Sequence, residues 1–166
     1  MRVPLFSFKQ QFCLQEPPRS KSSCAPFAPL RFAVQVALLQ SLFTQFPGID
    51  FKDKIGVLTP YQSQLRELRR HYELSLTKTQ QLCIESNTVD AFQGREKEII
   101  IFSCVRAGAQ RGIGFVADTR RMNVALTRAK HAIWVVGNAK SLSRNQDWRS
   151  YIGCVAFQSV GILVLS

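Results

Sequence analysis

The run Ile99-Ile100-Ile101-Phe102 constrains the fold of this chain more than any other stretch. Neighbouring side chains of a strand point to opposite faces, so an unbroken apolar run is apolar on both. Such a strand suits a parallel sheet covered on each side by helices. Ile55-Gly56-Val57-Leu58 and residues 132–136 are further runs of this type, and a strand is expected over 82–85. Helical patterns lie between them. Val34, Leu38, Leu42 and Phe46 recur every four residues and stop at Pro47-Gly48. Leu65, Leu68 and Tyr72 share a second helical face, which leaves Arg66, Arg69 and Arg70 toward solvent. That helix is expected to start with Thr59 as cap, Pro60 in the first turn and Gln62 closing a Thr-x-x-Gln box. Alternation of this kind implies βαβ units, hence the α/β class with a mostly parallel sheet flanked by helices. Ligands of such sheets sit beyond the carboxyl ends of the strands, and the polar motifs of this chain are expected there.

A length of 166 residues suits one domain, and 46% apolar residues, 12 Phe included, exclude wholesale disorder. Lys and Arg number 22 against 11 acidic residues, a formal charge of +11. That balance favours a polyanionic partner such as nucleic acid over an acidic membrane surface or an inert basic one. The five cysteines, Cys13, Cys24, Cys83, Cys104 and Cys154, contain no C-x-x-C pair and are odd in number. Neither a zinc site nor a disulfide framework is expected, and a reducing compartment follows. Residues 1–13 lack the apolar stretch of a signal peptide. The apolar run 153–166 is shorter than the roughly 20 residues of a spanning helix, so no membrane partner is expected. Three zones follow: an irregular segment 1–32 that holds five of the seven prolines, a domain over 33–152, and an apolar tail over 153–166.

Three polar segments carry candidate chemistry. In the first, Arg120-Arg121-Met122-Asn123-Val124-Ala125-Leu126-Thr127-Arg128-Ala129-Lys130, a helical reading buries Met122, Leu126, Ala129 and Ile133. It sets Arg121 and Arg128 two turns apart on one face, with small Ala125 between them. Two guanidiniums so placed form a cradle for phosphate oxygens, or an ordinary solvated basic face. In the second, Asn87-Thr88-Val89-Asp90-Ala91-Phe92-Gln93-Gly94-Arg95-Glu96, Gly94 allows close backbone approach or a positive φ. Thr88 and Gln93 offer neutral hydrogen bonds to phosphate or sugar, and Glu96 offers an acceptor for a ribose hydroxyl. The alternative is a polar turn with Glu96 paired to a nearby cation. In the third, Thr59-Pro60-Tyr61-Gln62-Ser63-Gln64, a helix start presents N–H groups to an anion and Tyr61 presents a ring for base stacking, unless that ring packs in the core.

Taken together, in this order and at this spacing, the segments resemble three motifs of superfamily-1B helicases, in the senataxin and nonsense-mediated-decay branch. Ile55 through Gln64 resembles motif IV, Thr88 through Glu98 motif V, and Arg120 through Lys130 motif VI. Ser103-Cys104-Val105-Arg106 and Gly112-Ile113-Gly114-Phe115 point to the senataxin-like subgroup. The resemblance implies a second RecA-like domain: a P-loop-NTPase-type fold that carries no P-loop of its own. It implies that Arg128 is an arginine finger, supported by Arg121, and that Gly94, Glu96 and Gln93 lie near the nucleotide. It further implies that Thr59, Pro60, Tyr61, Thr88 and Val89 line a track for single-stranded RNA or DNA. ATP and Mg²⁺ enter only with the first RecA-like domain, which is the implied protein partner. The implied location is the nucleus, with the cytoplasm as alternative.

The sequence contains no G-x-x-x-x-G-K-[ST] loop, and neither 1–32 nor 153–166 resembles the family. Both ends read as unrelated sequence joined to a genuine domain. Three readings are therefore distinct: the C-terminal motor domain of an ATP-dependent helicase, a non-catalytic nucleic-acid-binding module, and a fragment that supplies Arg128 in trans.

Overall fold

The computed structural model describes residues 27–104, 118–138, 142–155 and 162–165. In chain order these form helix α1 (Phe27–Gln45), strand β1 (Ile55–Thr59), helices α2 (Gln62–Ser75) and α3 (Lys78–Leu82), and strand β2 (Ile84–Thr88). A 3-10 turn (Asp90–Phe92) then leads to β3 (Lys97–Ser103), α4 (Thr119–Leu126), β4 (Ala129–Asn138), α5 (Gln146–Val155) and β5 (Ile162–Leu165).

The strands make one sheet in the order β2-β1-β3-β4-β5, with every described pairing parallel. The α/β class and the covered parallel sheet are thus as expected. Strand alternation divides the core in two. Ile55, Val57, Ile101 and Val136 face α1 and α2, where Leu39, Leu42, Leu68 and Tyr72 meet them. Leu58, Ile100, Phe102, Ile133 and Val135 face the other way, toward Phe92, Met122, Ala125 and Trp148. Ile99 and Ile101 therefore fill the first layer and Ile100 and Phe102 the second, so a polar residue anywhere in the run would enter one layer or the other. Among the described residues no helix is long and apolar enough to cross a membrane.

Buried polar groups on the first layer are arranged around Ser103. Gln35 on α1 and Gln64 on α2 both donate to its Oγ, at 2.8 and 2.7 Å. The Tyr72 hydroxyl donates to Gln35 Oε1 at 3.5 Å, and burial pushes that phenol's pKa far up. A network of this sort fixes two helices on one strand end, because each unsatisfied member would cost about 1–3 kcal/mol.

Several expectations need correcting. Thr59 does not cap α2; it remains in β1, paired with Thr88, and the chain turns helical only at Gln62. Tyr61 is the N-cap and makes no side-chain cap bond. The capping box occurs instead at α3, between Thr77 and Gln80. The strand expected over 82–85 lies at Ile84–Thr88, because α3 extends through Leu82. α1 begins at Phe27, ahead of the expected domain start at 33, and α5 runs to Val155, past 152. The apolar tail contributes β5, which pairs with Val135 through Asn138. Residues 1–26, Val105, Arg106 and Gly112 through Phe115 lie outside the described residues.

Candidate functional site

The sheet sorts the three polar segments into two clusters at opposite strand ends. Thr59 and Thr88 are register partners at the carboxyl ends of β1 and β2. The Val89 N–H donates to the Thr59 carbonyl at 3.2 Å, which binds the two segments together. Thr59 Oγ1 accepts from the Tyr61 N–H at 3.5 Å, and Thr88 Oγ1 accepts from the Ala91 N–H at 3.4 Å. Both hydroxyls thus shape turns. Thr59, Pro60, Thr88 and Val89 are buried, and only Tyr61 of this set is partly exposed. The expected surface track is therefore mostly backbone and one ring.

From Val89 the chain descends the sheet face to the amino end of β3, where Glu96 immediately precedes Lys97. Phe92, with no exposed surface, anchors this short crossover in the core. Gly56 lets it lie close. A Cβ there would meet Ile100 Cδ1 at 2.6 Å, Lys97 Cγ at 3.2 Å and the Phe92 ring at 3.3 Å. At the foot of the descent Gly94 takes φ +81°, a conformation strained for any residue with a Cβ. Gln93, Gly94, Arg95 and Glu96 are all exposed.

α4 descends beside this crossover, and two rungs join them. Near the upper end Arg121 Nε bonds Asp90 Oδ1 at 3.2 Å, while its Nη1 lies 3.5 Å from Asp118 Oδ2. Asp118 is also the N-cap, accepting from the Arg120 N–H. At the lower end Arg128 Nη1 donates to the Arg95 carbonyl at 3.4 Å, its Nε to the Val124 carbonyl at 3.1 Å and its Nη2 to Thr127 Oγ1 at 3.4 Å. The remaining N–H groups of that guanidinium have no partner among the described residues.

The shared arginine cradle is therefore not formed as expected. α4 ends at Leu126, because Ala129 already pairs with Lys97 at the start of β4. Arg128 lies in the connecting turn and its guanidinium bonds Val124, Arg95 and Thr127, whereas that of Arg121 bonds Asp90 and Asp118. Ala125 is fully buried and forms no flat floor; the buried stripe of α4 is Met122 and Ala125, and Ile133 is buried from β4. Gly94, Glu96 and Arg128 come together at the amino ends of the strands, and Arg121 stands apart with two carboxylates. The expectation that every polar motif lies beyond the carboxyl ends fits the Thr59 and Thr88 group and Arg121, but not Gly94, Glu96 and Arg128.

Glu85, Arg95 and Lys97 are absent from the sequence candidates, yet they build the floor of the lower cluster. Glu85 pairs with Arg95 Nη1 and, at 2.9 Å, with Lys97 Nζ. Burial alone would raise the Glu85 carboxyl, but the hydrogen bonds from Lys97 and Arg95 outweigh it and hold the pKa below its ordinary value. The one signal in the sequence is an acid inside a strand of otherwise neutral residues, Ile84-Glu85-Ser86-Asn87-Thr88.

The family model described as AAA domain matches residues 18–140. Helicase sen1 of Schizosaccharomyces pombe is 38% identical over 149 residues, covering 90% of this chain and 9% of that protein. Helicase SEN1 of Saccharomyces cerevisiae is 43% identical over 138 residues, covering 78% of the chain and 6% of the relative. The ATP-dependent helicase NAM7 of Saccharomyces cerevisiae is 46% identical over 114 residues, with coverages of 68% and 12%. The chain thus spans about a tenth of the length of these relatives.

Proposed function

Because the chain belongs to the AAA-domain family, in the branch of the Sen1 and nonsense-transcript helicases, we propose that it works as the C-terminal motor domain of an ATP-dependent helicase. Its partner in this reading is a first RecA-like domain that holds the nucleotide, and its substrate is single-stranded RNA or DNA. The place of action is the nucleus, or else the cytoplasm; both keep thiols reduced, which suits the free thiols Cys83 and Cys104.

The observation that carries this reading is the position of Arg128. Its guanidinium is oriented by three acceptors and still has N–H groups to offer, at a strand end rimmed by Gly94 and Glu96. Those groups fit the oxygens of a terminal phosphate, toward which a preoriented donor is most effective in a dry site. Gly94 admits close backbone approach, Glu96 accepts from a sugar hydroxyl, and Gln93 adds a neutral donor. When bound, ATP with Mg²⁺ supplies the phosphoryl group to be transferred to water. What this chain adds is positive charge at the γ-phosphate and a strand contact at the opposite end of the sheet. There Tyr61 stacks on a base while the Thr59 and Thr88 turns present backbone to the phosphates. Arg121 supports the site indirectly, through α4, since its charge is already offset by Asp90 and Asp118.

The test joins the chain to a first RecA-like domain from a relative and measures ATP turnover with and without a single-stranded oligonucleotide. Stimulated turnover in the joined protein, and none in either part alone, is the expected result. Joined protein without turnover, folded and still binding the oligonucleotide, refutes the motor reading and leaves a binding module.

A further inference from the structure

Both partners of Glu85 also hold Arg128. Arg95 presents its carbonyl to the Arg128 guanidinium, at 3.4 Å. Lys97 donates its backbone N–H to the Arg128 carbonyl, at 3.0 Å. Glu85 grips the side chains of these same two residues, one with each carboxylate oxygen. The segment so gripped contains Gly94 at φ +81°, where the space a Cβ would occupy is open for 4 Å around, so local packing does not restrain it. Glu85 itself is fixed by β2, in register with Gly56 of β1.

We propose that Glu85 is a positioning residue for Arg128, a role that rests on reading Arg128 as the phosphate-facing guanidinium. It clamps the turn from Gly94 to Lys97 onto the sheet and thereby sets where the Arg95 carbonyl holds that guanidinium. The electrostatics favour this over a passive surface pair. The Lys97 side chain is only 11% exposed and its stem lies over Gly56, so the clamp closes on a rigid wall. Loss of the carboxylate charge leaves the largely buried Lys97 side chain without its ion-pair partner, and the turn then has one anchor fewer.

The test reads the guanidinium directly. In the full 166-residue chain, the Nε–Hε resonance of Arg128 is assigned by its loss in Arg128→Lys, and that of Arg69 by its loss in Arg69→Lys. Arg69 is the internal control, because it bonds Ser86 on the same strand as Glu85. In Glu85→Gln the Arg128 resonance should move toward that of a solvated arginine and exchange with water about tenfold faster, the effect of losing roughly one net hydrogen bond. The Arg69 resonance should stay in place. Glu85→Asp, one methylene shorter, reaches a single cation and should fall between. Arg95→Met removes the clamp from its exposed side, so it gives the same reading should Glu85→Gln fail to fold. An Arg128 resonance unmoved in a folded Glu85→Gln or Arg95→Met overturns the proposal, as does an equal shift at Arg69. Turnover of the joined helicase separates the two ideas. An unmoved resonance with turnover lost in Arg128→Ala sinks the positioning role alone. A shifted resonance with turnover intact in Arg128→Ala supports positioning and sinks the phosphate reading.

Discussion

The two ends of the sheet solve different physical problems with the same crossover. At the carboxyl ends, Thr59 and Thr88 are neutral, buried and spent on the turns that follow them. At the amino ends, Arg95, Glu96 and Arg128 are charged and reach solvent or each other. A buried hydroxyl needs one partner and then defines backbone geometry; a buried unpaired charge would cost several kcal/mol. The upper cluster can therefore be dry and rigid, whereas the lower one keeps its charged groups at the surface. A segment read as one motif, Thr88 through Glu98, thus spans the whole height of the sheet and serves both ends.

The largest expected effect separates the ends by function. In the joined helicase, Arg128→Ala should lower ATP turnover by about 10³–10⁵ while oligonucleotide affinity stays within about twofold. Arg128→Lys should recover little, because an ammonium lacks the planar fork. Turnover that falls less than about threefold, no more than in Arg70→Ala on the exposed face of α2, would break the division between the ends. Next in size is a change to what connects them. Phe92→Ala should destabilise the chain by about 3–5 kcal/mol in urea unfolding, since a fully buried ring is deleted from the crossover. A loss under about 1 kcal/mol would mean that the crossover is held by its rungs and not by its plug.

Smaller effects sharpen the contrast. Gly94→Ala should cost about 1–2 kcal/mol through its positive φ alone, because a Cβ there meets open space. No cost would show that the turn relaxes readily to a negative φ. Binding of a single-stranded oligonucleotide by the chain should weaken with salt, with a slope near −0.7 per contacted phosphate. Tyr61→Ala should lower affinity by about 1–3 kcal/mol without altering that slope. An altered slope would assign Tyr61 to phosphate rather than to a base.

The smallest effect is a pH dependence at the lower end. The Glu85 carboxyl has a depressed pKa in the folded chain, so its pairing stabilises above the unfolded value and is lost as pH falls through the folded one. The stability difference between the wild type and Glu85→Gln should be full at pH 7 and vanish well below pH 4. It should not exceed about 1 kcal/mol, because Arg95 is more than half exposed and well screened. A difference that persists in acid would assign the effect to packing.

The central strands β1, β3 and β4 were legible because they are apolar on both faces, and Ile99 through Phe102 permit little else; the polar β2 was legible only in part, and the strand β5 in the tail was not. The helices α1 and α2 were legible from the spacing of one apolar face, although in α1 Leu39 and Gln35 are buried more deeply than Leu38 and Phe46 of the expected stripe. What the sequence concealed is where side chains go once strands are in register. Thr59 reads as a cap by its neighbours Pro60 and Gln62, but ladder pairing with Thr88 outweighs a local side-chain bond. Arg121 and Arg128 read as one face under a continuous helix, a pattern that Ala129 interrupts by entering β4. Glu85 was invisible because its importance comes from two residues ten and twelve positions away. Of the candidate site, then, the residue types were readable, but their division between two strand ends was not.

β2 is the outer strand on its side of the sheet, and its outward backbone groups would pair with any other extended chain. Arg69 occupies part of that row, taking the Ser86 carbonyl at 2.7 Å and its hydroxyl at 3.2 Å from the neighbouring helix. A strand arriving from another molecule would have to displace a charged fork and leave it without those bonds. The side chain that tethers α2 thus also blocks part of the row along which a second sheet would have to pair.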